Sequence, residues 1–286
     1  MSDINTWYKF VLQQLAAESY LDRISTGEGL TYKDILMFGN TDTRKTAEFG
    51  YTRMTEVQAT EFLQEYEIVD HNSNDLQSGF SATLMRNKDT GEYTLSFRST
   101  EYRQVADGGD FVRDAQGADV DFTQYGFAFA QIQDMEQYYA DLKASGKLPA
   151  GATLNVTGYS LGGHLATVFT ELHAVEISHT YLFNSPGRGY FDSNAYSIAD
   201  IQTDFWAAVS DPATHQLNGV DMQQAFPGAS GYTYQDIYTR AVNAAGQSLP
   251  TENIYADPRY QWALIWSKDS FVQRVVANDV EWRVTA

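Results

Sequence analysis

The sequence predicts an α/β protein in which a mostly parallel sheet is flanked by helices. Three observations predict it: a hairpin pattern early in the chain, alternating helical and strand-like segments after it, and glycines clustered where a strand gives way to a helix. With 286 residues, a single domain over 1–286 can bury a core large enough to fold without disulfide bonds or a metal.

The predicted elements begin with a helix over residues 6–22, where apolar side chains recur at roughly helical spacing. Residues 66–71 have the pattern of a strand. The alternating segments 80–86 and 93–98 flank a turn that bears Asp and Gly, which predicts a β-hairpin. The later elements are a helix over 126–145, a strand over 152–157, a helix ending near residue 175 and a strand over 180–184.

Residues 190–250 differ from the rest, because they are rich in aromatic, Asp and Gln residues and carry only short helical patterns. We interpret them as a lid-like insertion over the edge of the sheet, within the single domain. The chain then continues through residues 252–256 into a strand-rich tail over 272–284.

The composition excludes several classes of protein. A formal net charge of −18 argues against nucleic acid as a partner and against tight binding to anionic membranes. The absence of cysteine excludes disulfides, thiolate zinc sites and a cysteine nucleophile. No run approaches 18 apolar residues, and the first five residues lack the basic start of a secretory signal peptide. We therefore expect a chain that is secreted without an N-terminal signal peptide, or a cytoplasmic one.

The segment Gly158-Tyr159-Ser160-Leu161-Gly162 carries the clearest chemical signal, because it lies between a predicted strand and a predicted helix. In such a turn the serine hydroxyl projects above the sheet edge, and the flanking glycines let neighbouring backbone pass without a Cβ clash. The N–H of Leu161, at the start of the helix, would point towards a developing oxyanion. Ser160 is thus a candidate nucleophile, and an ordinary glycine-rich connection is the alternative.

A second signal is the segment 95–101, Leu-Ser-Phe-Arg-Ser-Thr-Glu, at the end of a predicted strand. Here the chain resembles the class 3 lipase family of α/β-hydrolases, whose strand before the nucleophile ends in Phe-Arg-Gly-Thr/Ser. Ser99 stands where the family has glycine, a change that bears on local backbone geometry more than on chemistry. The resemblance implies a lipase-like α/β-hydrolase fold, and it implies that Thr100 supplies the second oxyanion donor through its N–H, often with its hydroxyl.

The likeness is closer to bacterial lipase and phospholipase A1 domains, which are often joined to calcium-binding glycine-rich repeats. Residues 110–114 resemble the family's acidic helix start, and residues 183–189 resemble its proline-containing strand end. The resemblance covers roughly residues 66–190, and this chain carries no glycine-rich calcium repeats.

A serine hydrolase also needs a base and an acid that orients the base, in the chain order Ser, Asp or Glu, His on this fold. His215 follows Ser160 with candidate acids between them, such as Asp204 and Asp211. The other histidines are interpreted as structural or surface residues (His71, His164 and His173) or as preceding any plausible acid (His179).

The resemblance offers a second assignment for the acid. Residues 253–258, Asn-Ile-Tyr-Ala-Asp-Pro, resemble the strand end that bears the family's catalytic Asp, which would be Asp257. The family's His would follow it, yet no histidine follows His215. The base is then either His215 or a residue beyond 286, or the site has lost its base. An ordinary Asp-Pro turn is the alternative for Asp257.

These residues predict a serine esterase or lipase that hydrolyses carboxylic esters of lipids, with phospholipase A1 activity among the candidates. The catalytic set would be Ser160, Asp257 and His215, with Thr100 and Leu161 as oxyanion donors. No cofactor and no metal are expected, because paired His spacing and phosphate loops are absent from the sequence. The expected partner is the lipid ester, with transient contact to a lipid surface, and the oligomeric state is left open. The alternative is a catalytically incomplete hydrolase-like domain that serves as a binding or interaction module of a larger protein.

Overall fold

The structure is a computed structural model that describes residues 4–26, 29–40, 53–73, 78–101, 110–187 and 251–253, with positions 195, 200 and 204. In this part of the chain six strands form one sheet: β1 (Tyr66–Asn72), β2 (Ala82–Asn87), β3 (Tyr93–Phe97), β4 (Leu154–Tyr159), β5 (Ile177–Phe183) and β6 (Thr251–Asn253). The α-helices described are α1 (Ile4–Glu18), α2 (Tyr32–Phe38), α3 (Glu56–Glu65), α4 (Asp119–Tyr125), α5 (Phe129–Ala144) and α6 (Leu161–Leu172). Leu21–Ser25 forms a 3-10 helix and Val112–Ala118 a π-helix.

The strands lie side by side in chain order, and the sheet is mixed. Strands β1 and β2 pair antiparallel, as do β2 and β3, whereas β3, β4, β5 and β6 run parallel. An antiparallel neighbour needs only a short connection, but a parallel one needs a crossover, which α6 supplies between β4 and β5. The prediction of a mostly parallel sheet is corrected to this extent: an antiparallel half precedes the parallel half.

Several predicted boundaries move for local reasons. The opening helix ends at Glu18 instead of residue 22, and a 3-10 turn follows it. The helix predicted over 126–145 begins at Phe129, because Gly126 has a φ of 82° and ends α4 in the left-handed conformation. The strand β5 begins three residues earlier than predicted, at Ile177.

Helices α2 and α3 were not predicted, although each carries a start signal in the sequence. Thr31 and Asp34 form a capping box at the start of α2, and Thr55 and Gln58 form another at the start of α3. In each box the threonine hydroxyl accepts from a backbone N–H three residues on, and the later side chain accepts from the threonine N–H.

The core has two parts, one on each face of the sheet. Leu182 of β5 packs with apolar residues of α5 and α6, whereas its neighbours Tyr181 and Phe183 pack with α1 on the other face. This alternation is what a strand buried on both faces requires, because successive side chains point to opposite sides. Helices on both faces leave the carboxyl ends of the parallel strands as the edge where a ligand can approach.

The predicted lid-like region over 190–250 lies outside the described residues, apart from positions 195, 200 and 204. Among the residues described, no helix is both long enough and apolar enough to cross a membrane.

Candidate active site

Ser160 lies in a sharp turn between β4 and α6. Its φ of 52° and ψ of −120° are unusual for a residue with a side chain. The turn is held on both sides, since the Ser160 N–H donates to the Phe183 carbonyl at 3.1 Å and the Ser160 carbonyl accepts from the His164 N–H at 3.1 Å. Such strain persists only where surrounding structure over-determines it, and here it leaves Ser160 partly exposed among buried neighbours.

The two glycines of the motif are required by space. A Cβ on Gly158 would lie 2.0 Å from the carbonyl oxygen of Gly162, and a Cβ on Gly162 would lie 2.2 Å from the carbonyl oxygen of Phe97. Both distances are far inside van der Waals contact and both partners are backbone atoms. The sequence-based reason for these glycines, close passage of neighbouring backbone, is confirmed.

The loop after β3 lies against the first turn of α6. A Cβ on Gly162 would also lie 2.7 Å from the carbonyl oxygen of Arg98, the first residue of this loop. Thr100, two residues further on, is buried with 2% of its surface exposed. Leu161 is the first residue of α6, so its N–H has no acceptor within the helix. The structure thus brings the segments that carry Thr100, Leu161 and Ser160 together at one sheet edge.

The Thr100 side chain is fixed by the helix that follows the loop. Its hydroxyl donates to the Oδ2 atom of Asp119, the first residue of α4, at 2.9 Å. With the hydroxyl proton directed at Asp119, the N–H of Thr100 is the group to consider as an oxyanion donor. Asp119, the acid that contacts Thr100, was not singled out from the sequence.

Ser99, at the position where the resemblance led us to expect glycine, is accommodated without backbone strain. Positive φ values among the non-glycine residues described occur at Ser160 and Asn184, not at Ser99. The Ser99 N–H donates to Oε1 of Glu18 at 2.9 Å, and its hydroxyl donates to Oε2 of the same carboxylate at 2.8 Å. The serine therefore gains a partner from α1 that glycine could contact only through its backbone.

A buried group of charged residues lies beneath the loop. Arg98 pairs with Glu101 at 3.3 Å, Arg113 pairs with Asp110, and the Glu101 N–H donates to Asp114 at 2.6 Å. Burial raises the pKa of Asp110 to about 7 although Arg113 opposes the shift. Burial, with the charge of nearby Asp110, also raises the pKa of Asp114 well above its usual range. The acids of this group outnumber its cations, so protonation of Asp110 or Asp114 would relieve their repulsion.

His164 is a structural residue of α6. Its Nε2 accepts from the Ala128 N–H at 3.2 Å, which makes Nδ1 the protonated nitrogen, and Nδ1 donates to the Gly187 carbonyl at 2.7 Å. With both ring nitrogens engaged and the ring fully buried, His164 cannot take a proton from Ser160.

The remaining described histidines lie away from Ser160 or in structural contacts. His173 follows the last residue of α6, about 20 Å along the helix from Ser160, and bonds Glu136 at 2.8 Å. His71 in β1 contacts the Thr83 hydroxyl at 2.9 Å, and burial lowers its pKa to about 4. His179 lies in β5 beside Ser178. Among the described residues, no group of three or more His, Asp and Glu side chains could hold a metal ion.

No family model matches the chain, and no curated protein sequence matches it. Among solved structures, the chain is similar to lipase II from Rhizopus niveus, with a TM-score of 0.38 and 14% identity over 65% of this chain and 63% of that one. It is similar to a lipase from Rhizopus microsporus var. chinensis, with a TM-score of 0.38 and 12% identity over 72% of this chain and 64% of that one. A Rhizomucor miehei lipase propeptide complex gives a TM-score of 0.36 and 13% identity, over 73% of this chain and 57% of that one.

This chain therefore spans less than two thirds of the length of these three fungal lipases. The mixed sheet with helices on both faces makes the chain an α/β protein. None of the three is named as a bacterial phospholipase A1 or as a protein with calcium-binding repeats, so that finer resemblance stays a prediction.

The other predicted site residues fall mostly beyond the described part of the chain. His215, Asp211 and Asp257 lie outside it. Asp204 is described, and its carboxylate accepts a hydrogen bond from the Tyr125 hydroxyl at the end of α4. The structure therefore places Ser160 with the candidate oxyanion segments, and the base and acid stay predictions.

The buried His164 predicts a loss of stability in acid. Burial lowers its pKa from 6.5 to about 4. Between these two pH values His164 is therefore protonated in the unfolded chain and neutral in the folded chain. The stability that the neutral ring contributes is present above pH 6.5 and is lost as the pH falls towards 4. We expect urea unfolding to show an excess loss of about 2–3 kcal/mol between pH 7 and pH 4.5, relative to His164→Gln. Equal losses in the two proteins would contradict this.

Proposed function

We propose that this chain is a serine hydrolase that cleaves carboxylic esters of lipids through an acyl-enzyme on Ser160. The single observation that carries the proposal is the strained turn at Ser160, which opens a helix at the carboxyl end of a parallel strand and touches the loop that bears Thr100. A glycine would adopt this positive φ without strain, so the presence of a serine here favours exposure of a nucleophilic hydroxyl as the reason.

The reaction would proceed in two steps, acylation of Ser160 and hydrolysis of the acyl-enzyme. The Ser160 hydroxyl attacks the ester carbonyl while a base takes its proton, and the resulting oxyanion accepts from the N–H groups of Thr100 and Leu161. The C–O bond to the alcohol breaks as the base returns the proton to the departing oxygen. Water then attacks the acyl-serine with the same base, which releases the carboxylic acid and restores the serine.

The acid of this scheme is proposed to be Asp257. Strand β6 runs parallel to β5, so its carboxyl end at Asn253 lies at the same sheet edge as Ser160. Asp257 follows that strand end by four residues, within the segment that resembles the Asp-bearing strand end of class 3 lipases. The base is proposed to be His215 or a histidine beyond residue 286.

A lipid substrate is favoured by the composition of residues 190–250. This segment holds nine aromatic residues that the sequence singles out: Tyr190, Phe191, Tyr196, Phe205, Trp206, Phe226, Tyr232, Tyr234 and Tyr238. Aromatic side chains beside a nucleophile offer apolar surface to an acyl chain, and phospholipids are among the candidates. The competing function, a binding module without catalysis, is favoured by the lack of any histidine after His215.

Labelling with a fluorophosphonate probe tests the proposal, because the probe reacts only with an activated serine. We expect the parent chain to be labelled, Ser160→Ala to be unlabelled, and His215→Ala to be unlabelled if His215 is the base. Labelling lost only in Ser160→Ala would assign the base elsewhere. A parent chain that is not labelled, yet binds lipid vesicles, would overturn hydrolysis by residues 1–286 alone and would support the binding module.

A further inference from the structure

We propose that Glu18 is a positioning residue for the oxyanion donor Thr100, acting through Ser99; this rests on the proposed function. Glu18 is the last residue of α1 and has only 1% of its surface exposed. Both carboxylate oxygens contact the loop, since Oε1 accepts from the Ser99 N–H at 2.9 Å and Oε2 accepts from the Ser99 hydroxyl at 2.8 Å. Two contacts to one residue fix its orientation as well as its position.

The end of α1 holds the neighbouring residues of the loop in the same way. The Gln14 amide nitrogen donates to the Phe97 carbonyl and to Glu18 Oε1, each at 3.0 Å, and the Gln14 amide oxygen accepts from the Ser96 hydroxyl at 3.0 Å. One helical turn therefore binds three positions at the end of β3 and in the loop. On the far side, the Thr100 hydroxyl is tied to Asp119.

The peptide between Ser99 and Thr100 is thus held from both ends, and its N–H is the proposed donor to the oxyanion. A donor in an oxyanion hole works only if its direction is set before the charge develops, because reorganisation then costs nothing during the reaction. Glu18 sets that direction from one side and Asp119 from the other.

Burial of a carboxylate at this place is unfavourable in free energy. This indicates that the two hydrogen bonds which its oxygens accept from Ser99 have a role. Glu18 is buried and lies at the negative end of α1, where a negative charge is unfavourable. The guanidinium of Arg98 offsets part of this cost, since Glu18 is among the charges that raise the Arg98 pKa above its usual value. A buried apolar side chain would avoid the cost but would leave the Ser99 N–H and hydroxyl without these acceptors.

The test uses the full chain and compares Glu18→Ala, Glu18→Gln and Ser99→Ala with the parent. Hydrolysis of a short p-nitrophenyl ester gives kcat and KM, and amide hydrogen exchange reports on residues 98–101. We expect Glu18→Ala to lower kcat by about 10- to 100-fold with KM nearly unchanged, because only the transition state uses the oxyanion donor. Exchange at Ser99 and Thr100 should become faster in the same variant.

Glu18→Gln should recover most of the kcat, since its amide oxygen still accepts from the Ser99 N–H and its amide nitrogen donates to the hydroxyl oxygen. Ser99→Ala keeps the N–H contact and loses one hydrogen bond, so we expect kcat to fall by only about 3- to 10-fold. If Glu18→Ala does not fold, Ser99→Ala and Glu18→Gln test whether the contact between Glu18 and Ser99 affects kcat.

Glu136→Ala is the matched control, because Glu136 is also buried, with 2% exposed, but bonds His173 at the far end of α6. It should reduce stability without changing kcat or exchange in residues 98–101. A kcat that falls equally in Glu18→Ala and Glu136→Ala, or that is unchanged in Glu18→Ala, would overturn the positioning role alone. A parent chain with no ester hydrolysis and no fluorophosphonate labelling would overturn catalysis by residues 1–286 alone, and the positioning role with it.

Discussion

Gly162→Ala should prevent the chain from reaching its native fold, or destabilise it by about 3–5 kcal/mol. A methyl group at this position would lie 2.2 Å from the Phe97 carbonyl oxygen and 2.7 Å from that of Arg98. Phe97 ends β3, which is bonded between β2 and β4, and the N–H of Arg98, the next residue, donates to the Ser81 carbonyl at 3.0 Å. Neither carbonyl can therefore retreat without breaking bonds at the edge of the sheet. Chemical unfolding followed by near- and far-UV circular dichroism measures the effect.

Gly146→Ala is the control for this prediction. Gly146 follows α5 with a φ of 73°, and no atom lies within 4 Å of the place its Cβ would take. The cost there is backbone strain alone, about 1 kcal/mol. If the two variants were equally stable, close approach of β3 to α6 would not be what requires glycine in the motif, and the packing of the turn described above would be wrong.

The turn at Ser160 could be predicted from sequence because its pattern is local. Two glycines, a serine and the change from strand to helix lie within a few residues. The crowding of Gly158 by Gly162 is local too, whereas the atom that crowds Gly162 most closely, the Phe97 carbonyl oxygen, belongs to another strand and is shown only by the fold. The same holds for the hairpin of β2 and β3, where the alternation and the turn residues are adjacent.

The contacts around the oxyanion loop could not be predicted in this way. Glu18 and Ser99 are separated by 81 positions, and Thr100 and Asp119 by 19. From the sequence, an acidic residue at the end of a helix is predicted to be exposed to solvent, because lone acidic residues are mostly exposed. Only the fold shows that α1 brings its last carboxylate under the loop, and the resemblance to class 3 lipases named Thr100 without its partner.

The hairpin of β2 and β3 was predicted, but the antiparallel pairing of β1 with β2 was not. Alternating helices and strands predict parallel pairing, and that pattern holds from β3 to β6. Before β3 the chain contributes β1 and the hairpin, which pair antiparallel because their connections carry no crossover. Helices α2 and α3 were not predicted although their capping boxes are visible in the sequence. A capping box is a polar signal, so apolar spacing does not reveal it.

The charged group under the loop gives the second large effect: Arg98→Met should destabilise the chain by about 3–5 kcal/mol at pH 7. Arg98 has 6% of its surface exposed, pairs with Glu101 at 3.3 Å and lies over the Tyr20 ring at 4.6 Å. Burial alone would lower the Arg98 pKa, but Glu101 first, then Tyr20 and Glu18, raise it above its usual value. Methionine fills similar volume, so the loss would report the carboxylates left without their cation.

The dependence of this loss on pH separates charge from packing. Buried carboxylates without a cation destabilise the fold only while they are ionised. The loss in free energy of unfolding caused by Arg98→Met should therefore be largest at pH 7 and should become smaller as the pH falls to 4.5. A packing defect would give the same deficit at both values. Arg86→Met is the control, because Arg86 pairs with Glu67 at 3.0 Å where both side chains are exposed, and such pairs contribute about 0–1 kcal/mol. If the two arginine variants lost equal stability, the cluster beneath Ser99 and Thr100 would not depend on its buried cation, and the loop would owe its position to hydrogen bonds alone.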